Sequence, residues 1–231
     1  MPIGKEAMNH PRLSQKTIPL FPLGLVLMPQ MPLPLHIFEE RYKLMTDECL
    51  SENKEFGIVY FNGTDIQTVG CTASIESILK RYDDGRLDIL TRGMTRFVIK
   101  EIYDQKPYLE ADVIFFDDEF EQNTEACKAL ADKGMTLLEQ FAGISDIQEE
   151  YGFLEGADFK SISFFIAGCE GFSCEEKQYF IEMSSTHERL KKSVGSLAGI
   201  TERTKITAEI QKIISGNGHM KRFPGLGFTK K

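Results

Sequence analysis

Side chains with chemical potential are few and scattered. His36 precedes Ile37-Phe38-Glu39-Glu40, and a histidine beside a carboxylate can act as general acid or base. It also follows Leu33-Pro34-Leu35 at the start of an expected helix, where a capping or structural role explains it without catalytic partners. His187 falls on an apolar helical stripe and reads as a core or boundary histidine. The sequence holds no G-x-S-x-G, H-E-x-x-H or G-x-x-x-x-G-K-[ST]. Nucleophile-elbow hydrolysis, zinc-peptidase chemistry and phosphate-loop ATP hydrolysis therefore have no motif here.

Cys49, Cys71, Cys127, Cys169 and Cys174 are odd in number and form no C-x-x-C. Four of them sit in apolar surroundings, as buried reduced thiols do in a cytosolic protein. Together with His10, His36, His187 and His219 they supply no four-ligand zinc spacing. No metal or other cofactor is expected. The acidic pairs Asp83/Asp84 and Asp117/Asp118 read as solvated charge, one at a turn and one at a regional junction. Arg41, Arg86, Arg92 and Arg96 would form a phosphate-binding patch only by meeting on one surface, and acidic neighbours are expected to neutralise most of it.

The 231 residues carry a net charge of −8. Residues 17–118 hold ten basic and seventeen acidic groups, and residues 119–215 hold the same numbers. Neutralising phosphates supplies much of nucleic-acid affinity, so two acidic regions argue against that partner. Residues 216–231 carry Lys221, Arg222, Lys230 and Lys231 without an acid, and residues 1–16 are also basic. Both ends read as solvated, flexible termini. No apolar run approaches the ~18 residues of a membrane span. The polar start lacks a signal-peptide core, and the expected location is the cytoplasm.

Apolar surface is the better lead. Met28-Pro-Gln-Met-Pro-Leu-Pro-Leu35 combines methionine, suited to promiscuous apolar contact, with prolines that cannot donate to a full sheet ladder. It lines a groove or packs as a rigid loop. Phe153, Phe159, Phe164 and Phe165 raise the same question downstream. Phe164 falls off the inward stripe and is the one to watch as exposed, but contact between the helical region and the barrel is the reading placed ahead.

The elements that must position these groups fall into two regions. Residues 17–118 read mostly as short strands: Ile18–Leu23, Leu25–Met28, Phe56–Phe61, Val69–Leu79, then Leu87 onward, with Gly93 breaking the run, Phe97 and Ile99 leading another strand and Ala111–Phe115 the last. Turn signals at Asn62-Gly63 and Asp83-Asp84-Gly85 separate them. One helix, Ile37 to about Leu50, interrupts with Phe38, Tyr42, Met45 and Cys49 on one stripe. Many short strands joined by tight turns suggest a closed or nearly closed barrel. Residues 119–215 read as helical. One helix carries Cys127, Leu130, Gly134, Leu137 and Phe141, and another is capped by Asp158. The Ser173–Glu176 capping box is expected to open the longest helix, running through Phe180, Met183, His187, Leu190, Val194 and Leu197. Thr201 is expected to start another, with Ile206, Ile210 and Ile213 inward.

In this order the residues resemble the N-terminal domain of the Lon protease family. Ile18-Pro-Leu-Phe-Pro-Leu23 with Val26-Leu-Met-Pro29 is similar to its opening, and Leu33-Pro-Leu-His-Ile-Phe-Glu39 with Arg41-Tyr42 to its most recognisable stretch. Phe56-Gly-Ile-Val59, Val69-Gly-Cys-Thr-Ala73, Asp84-Gly-Arg86, Gly93, Arg96-Phe97, Pro107-Tyr108 and Ala111-Asp-Val113 follow. Ser163-Phe164 to Ala167, Lys177-Gln178, Glu182 and Glu188-Arg189-Leu190 are similar to its helical part. The resemblance covers about residues 17–200. Two positions depart: Gln30 stands where the family usually has glycine, and Glu40 where proline usually follows Phe-Glu.

The resemblance implies an α+β chain, a PUA-like β pseudo-barrel with one inserted helix over residues 17–118 followed by a helical bundle over 119–215. It implies substrate-polypeptide recognition without the ATP site or Ser–Lys pair of the full protease. The chain is accordingly expected to be a stand-alone, non-catalytic binding module. Its partner would be an unfolded or extended polypeptide, or a protein such as a protease or chaperone. The expected contacts are Met28, Met31, Leu33, His36, Phe38, Tyr42 and Phe164, in a groove between barrel and helices. The alternatives are nucleic-acid binding by analogy with PUA-like domains, and small-molecule binding or hydrolysis in the same groove.

Overall fold

A computed structural model describes residues 15–145, 154 and 156–217. The expectations for the two termini and for Phe153 fall largely outside them. The strands are β1 (Gln15–Leu23), β2 (Pro32–Ile37), β3 (Phe56–Phe61), β4 (Ile66–Arg81), β5 (Leu87–Tyr103) and β6 (Leu109–Phe115). The helices are α1 (Glu40–Glu52) between β2 and β3, then α2 (Thr124–Ser145), α3 (Phe159–Ala167), α4 (Cys174–Glu182) and α5 (Thr186–Asn217). The chain is thus α+β. No helix of the described residues is long and apolar enough to cross a membrane.

The sheet order is β2-β5-β4-β3-β1-β6, and β6 pairs back onto β5. Strands β5, β4, β3, β1 and β6 therefore close into a ring, with β1 and β3 parallel and β2 annealed outside on β5. Ile18, Leu20, Val59, Phe97, Ala111 and Val113 form one buried cluster of this ring. The Phe97 ring needs glycine opposite it: a Cβ on Gly57 would lie 2.6 Å, and one on Gly70 2.7 Å, from its Cζ.

Several boundaries differ from expectation. Residues Leu25–Met28 form no strand; the proline-rich segment after them does. It pairs because its prolines share one parity. Gly93 N–H donates to Met31 O at 3.0 Å, so alternation turns the amides of Leu33, Leu35 and Ile37 toward β5. Pro32, Pro34 and His36 face the outer edge, which retains a single N–H. Gly93 does not interrupt β5. It lets the loop before β2 approach, since a Cβ there would sit 2.2 Å from Met28 O.

The expected longest helix is two. Helix α4 ends at Glu182, Met183 is extended (φ −69°, ψ 135°), and α5 starts at Thr186. The expected new helix at Thr201 is instead the continuation of α5. Ile206, Ile210 and Ile213 do not point inward; Ile213 is 62% exposed. Helices α2 and α5 run alongside, with Gly134 against Val194 and both Phe141 and Ile200 against Gly171. Helix α5 carries on after α2 has ended. The caps at Asp158 and Ser173 form as read: Asp158 accepts from Ser161 N–H at 2.7 Å, and Ser173 and Glu176 close a capping box.

A buried ionic clasp joins barrel to bundle. Asp118, between β6 and α2, is paired with Arg96 of β5 and Arg189 of α5. The three side chains are at most 5% exposed. Arg96 also donates to Ile181 O at 2.9 Å, and Arg189 to Met183 O at 2.9 Å and Ser163 Oγ at 2.8 Å. Thr186 donates its hydroxyl to Asp118. Burial pulls the Asp118 pKa upward, but hydrogen bonds and charge from Arg189, with Thr186 and Arg96, outweigh it and hold it below the ordinary value. Asp118 is thus not solvated charge, and Arg96 is not part of a surface patch. Arg41, Arg86 and Arg92 pair separately with Glu39, Asp84 and Glu76.

Candidate functional site

The loop from Gly24 to Met31 returns to the sheet through a tight turn. Met31 N–H donates to Met28 O at 3.3 Å, with Pro29 second and Gln30 third in the turn. Gln30 has φ +66°, the sign a type II turn demands at its third residue, where glycine is favoured. Two bonds hold it there: its N–H donates to Gly93 O at 2.7 Å, and its carbonyl accepts from Arg92 Nη1 at 2.8 Å. The Arg92 Nε and Nη2 engage both carboxylate oxygens of Glu76. Glu40 is the first residue of α1 after Glu39 at the N-cap. That position suits proline and equally suits an acid near the helix dipole, so the departure at Glu40 leaves the helix start intact.

Beside the turn lies a cavity of about 310 Å³ lined by Pro29, Gln30, Met31, Arg92, Leu154, Ala157, Ser161 and Phe165. The barrel side is the β1–β2 loop with β5, and the bundle side is the start of α3. The Asp158 cap fixes that first turn and brings Ser161 and Phe165 to the wall. Among the described residues the walls are mostly apolar, the one formal charge is Arg92, and no carboxylate lines the cavity. Size and lining are those of a site for a small apolar group with few polar contacts.

The expected contact residues are dispersed. Met31 lines the cavity. Leu33 is half-buried on β2 and packs on the core. Met28 and Tyr42 are core residues; Tyr42 stacks on Phe21 with ring centroids 4.0 Å apart. Burial is the larger influence raising the Tyr42 pKa. Phe164, the residue off the inward stripe, is 1% exposed. Its ring lies 3.7 Å from the Arg189 guanidinium and 4.9 Å from that of Arg96. It belongs to the clasp between barrel and bundle, the reading placed ahead for this residue.

His36 and Phe38 form a separate exposed patch. His36 Nδ1 meets Asp88 Oδ1 at 2.5 Å, and Tyr82 donates to Asp88 Oδ2 at 2.8 Å. The Phe38 ring, 58% exposed, stacks near His36 at 5.9 Å. The hydrogen bond from His36, then that from Tyr82, lowers the Asp88 pKa. His187, expected on the apolar stripe, sits half-buried in the first turn of α5, where its N–H donates to Glu121. Phe165 is one of the aromatics for which the groove question was open, whereas Ser161 was not foreseen; its signal was the Asp158 cap, which fixes which face of α3 begins at the seam.

The closed ring with an external proline-rich strand, followed by helices, places the architecture in a known class. It superposes on a Lon N-terminal domain protein from Xanthomonas campestris with TM-score 0.60 at 22% identity, covering 78% of this chain and 98% of that one. The N-terminal domain of a Mycobacterium avium complex Lon protease gives 0.64 at 14% identity, covering 79% and 98%. The fold is therefore that of Lon N-terminal domains.

A family model for the substrate-binding domain of the ATP-dependent protease La (LON) matches residues 17–199, and the chain belongs to that family. Among its relatives, the Lon protease of Desulfosudis oleivorans is 26% identical over 212 residues, 86% of this chain and 26% of that protein. That of Clostridium acetobutylicum is 32% identical over 124 residues, 50% of this chain and 16% of the relative. The chain spans about a quarter or less of the length of these relatives.

Proposed function

We propose that this chain is a non-catalytic polypeptide-recognition module that receives apolar side chains of extended segments in the cavity between β1–β2 loop and α3. The observation that carries the reading is the cavity itself: a mostly apolar recess at the barrel–bundle seam, lined by Met31 and by no carboxylate among the described residues, in a member of a substrate-binding domain family. Docking by side chain rather than by strand addition fits the outer edge of β2. With Pro32 and Pro34 facing outward, that edge has little to donate. The net charge of −8 and the acid-paired arginines weigh against nucleic acid as partner. The chain would work by holding a polypeptide, alone or for a protease or chaperone.

The test is fluorescence anisotropy of the chain against a labelled, permanently unfolded polypeptide, with a labelled RNA in parallel, each at low and high salt. Saturable, salt-tolerant polypeptide binding is expected, since apolar contact dominates. Met31→Asp, which sets a carboxylate into the apolar wall, should weaken it by at least about tenfold. Phe38→Ser, on the separate patch, should leave it unchanged. Salt-sensitive RNA binding without polypeptide binding, or indifference to Met31→Asp, would sink the reading.

A further inference from the structure

Gln30 is a glutamine in a conformation suited to glycine. Its φ of +66° is an uncommon backbone state for a side-chain-bearing residue, and the turn around it needs only the backbone. Its backbone N–H and carbonyl are both used, to Gly93 and Arg92. Its carboxamide is not: the residue is exposed, lines the cavity, and makes no side-chain hydrogen bond among the described residues. Strain that a glycine would relieve is thus retained at the lip of a cavity, with an unused polar group beside it. Such an outlier points to function rather than to folding.

The other polar groups of the wall narrow the ligand. Arg92 has its Nε and Nη2 on Glu76 and its Nη1 on the Gln30 carbonyl. Glu76 balances its charge and leaves it little free donor capacity, and no carboxylate lines the cavity among the described residues to hold a cationic ligand. The Ser161 hydroxyl is engaged by Asp158, so among the described lining residues the free polar group is the Gln30 carboxamide, a donor and an acceptor on one plane, the same pair a peptide bond presents.

We propose that Gln30 is a specificity-determining residue that hydrogen-bonds the backbone of an extended, apolar, non-basic polypeptide segment whose side chain fills the cavity. This rests on the polypeptide-binding reading of the groove.

The test uses the full chain and a fluorescein-labelled, uncharged ten-residue peptide with a central Leu-Phe-Leu. A second peptide is N-methylated at its central amides. Gln30→Gly should raise the melting temperature by about 2 °C, because the turn is freed of strain. The same variant should weaken binding of the first peptide roughly fivefold to tenfold, the worth of a hydrogen bond or a little more. Gln30→Asn, which tolerates the left-handed region and keeps a carboxamide, should restore most of the affinity. The N-methylated peptide should bind the wild type weakly and lose nothing further with Gln30→Gly.

If the wild type binds the first peptide and Gln30→Gly binds it equally well, the inference is overturned while the groove reading stands. A joint fall of melting temperature and affinity in Gln30→Gly would assign a structural role and also overturn it. A wild type that binds neither this peptide nor an unfolded polypeptide removes the groove reading, and the inference with it.

Discussion

Asparagine at position 118 would keep the shape of the clasp and delete its one negative charge. Asp118 faces Arg96 and Arg189 in a site where none of the three side chains is more than 5% exposed. In Asp118→Asn two guanidinium groups remain buried with carbonyls and hydroxyls but no counter-charge. Removing one partner of a buried ion pair costs roughly 3–5 kcal/mol. For a chain of this size each kcal/mol moves the melting temperature by about 2–4 °C, so the fall should be about 6–20 °C. The pH dependence follows from the lowered pKa. The folded value lies below the unfolded one, near 3.9, so the stabilisation is complete above the unfolded value and is lost as pH falls through the folded value. Calorimetric melting of wild type and Asp118→Asn at pH 7, and stepwise down to about pH 2, measures both. A variant melting within 2 °C of wild type at pH 7, with about 2 °C as the limit of a neutral substitution, would refute the assignment of the clasp as the joint between barrel and bundle.

Two further predictions bear on the barrel. Gly70→Ala would place a Cβ 2.4 Å from Ile58 O, a backbone atom fixed in the β3–β4 ladder. Denaturant titration should show a loss of roughly 2–3 kcal/mol, whereas Gly24→Ala, with nothing within 4 Å of its Cβ, should stay within about 0.5 kcal/mol of wild type. Equal stability of the two variants would contradict the β3–β4 packing. The cysteines report the same closure chemically. Burial pushes the Cys49 thiol up to about 11 and the Cys71 thiol up to about 12, while Cys174 is only half-buried. Iodoacetamide at pH 8 should therefore label Cys174 first by peptide mass mapping, and early labelling of Cys71 would show that the barrel wall opens.

What was legible in the sequence is what local chemistry decides. The Asp158 cap, the Ser173–Glu176 box and the Gly85 turn, with φ +81°, depend on residues within a few positions of each other. The break between α4 and α5 was not legible, because the apolar stripe runs through it without a missed step. Its cause is tertiary: Arg96 and Arg189 take the carbonyls of Ile181 and Met183, which a continuous helix would use internally. Asp118 looked solvated for the same reason, since its partners lie 22 and 71 residues away. In the candidate site, Met31 was legible as an apolar residue between prolines. Arg92, Ser161 and Phe165 join it only through the packing of α3 on the β5 side, which no spacing encodes. The glycine-to-glutamine departure at position 30 was visible, but its meaning needed the backbone angle.

The clasp and the groove are two sides of one construction. Strand β5 supplies Arg92 to the groove and Arg96, four residues on and across a register shift, to the clasp. Helix α3 supplies Ser161 and Phe165 to the groove, and Ser163 and Phe164 to the clasp. Neither element can shift to widen the groove without pulling Arg96 from Asp118 or Phe164 from between the two guanidinium groups. The desolvated charges therefore serve geometry more than net stability, since a well-packed apolar substitute would hold the halves together about as well. What the ionic clasp adds is direction: its hydrogen bonds fix the register of α3 against β5, and with it the width of the cavity. Under the proposed function, a groove set this way would meet its ligand preformed, and the ordering cost of binding would fall on the polypeptide and not on the protein.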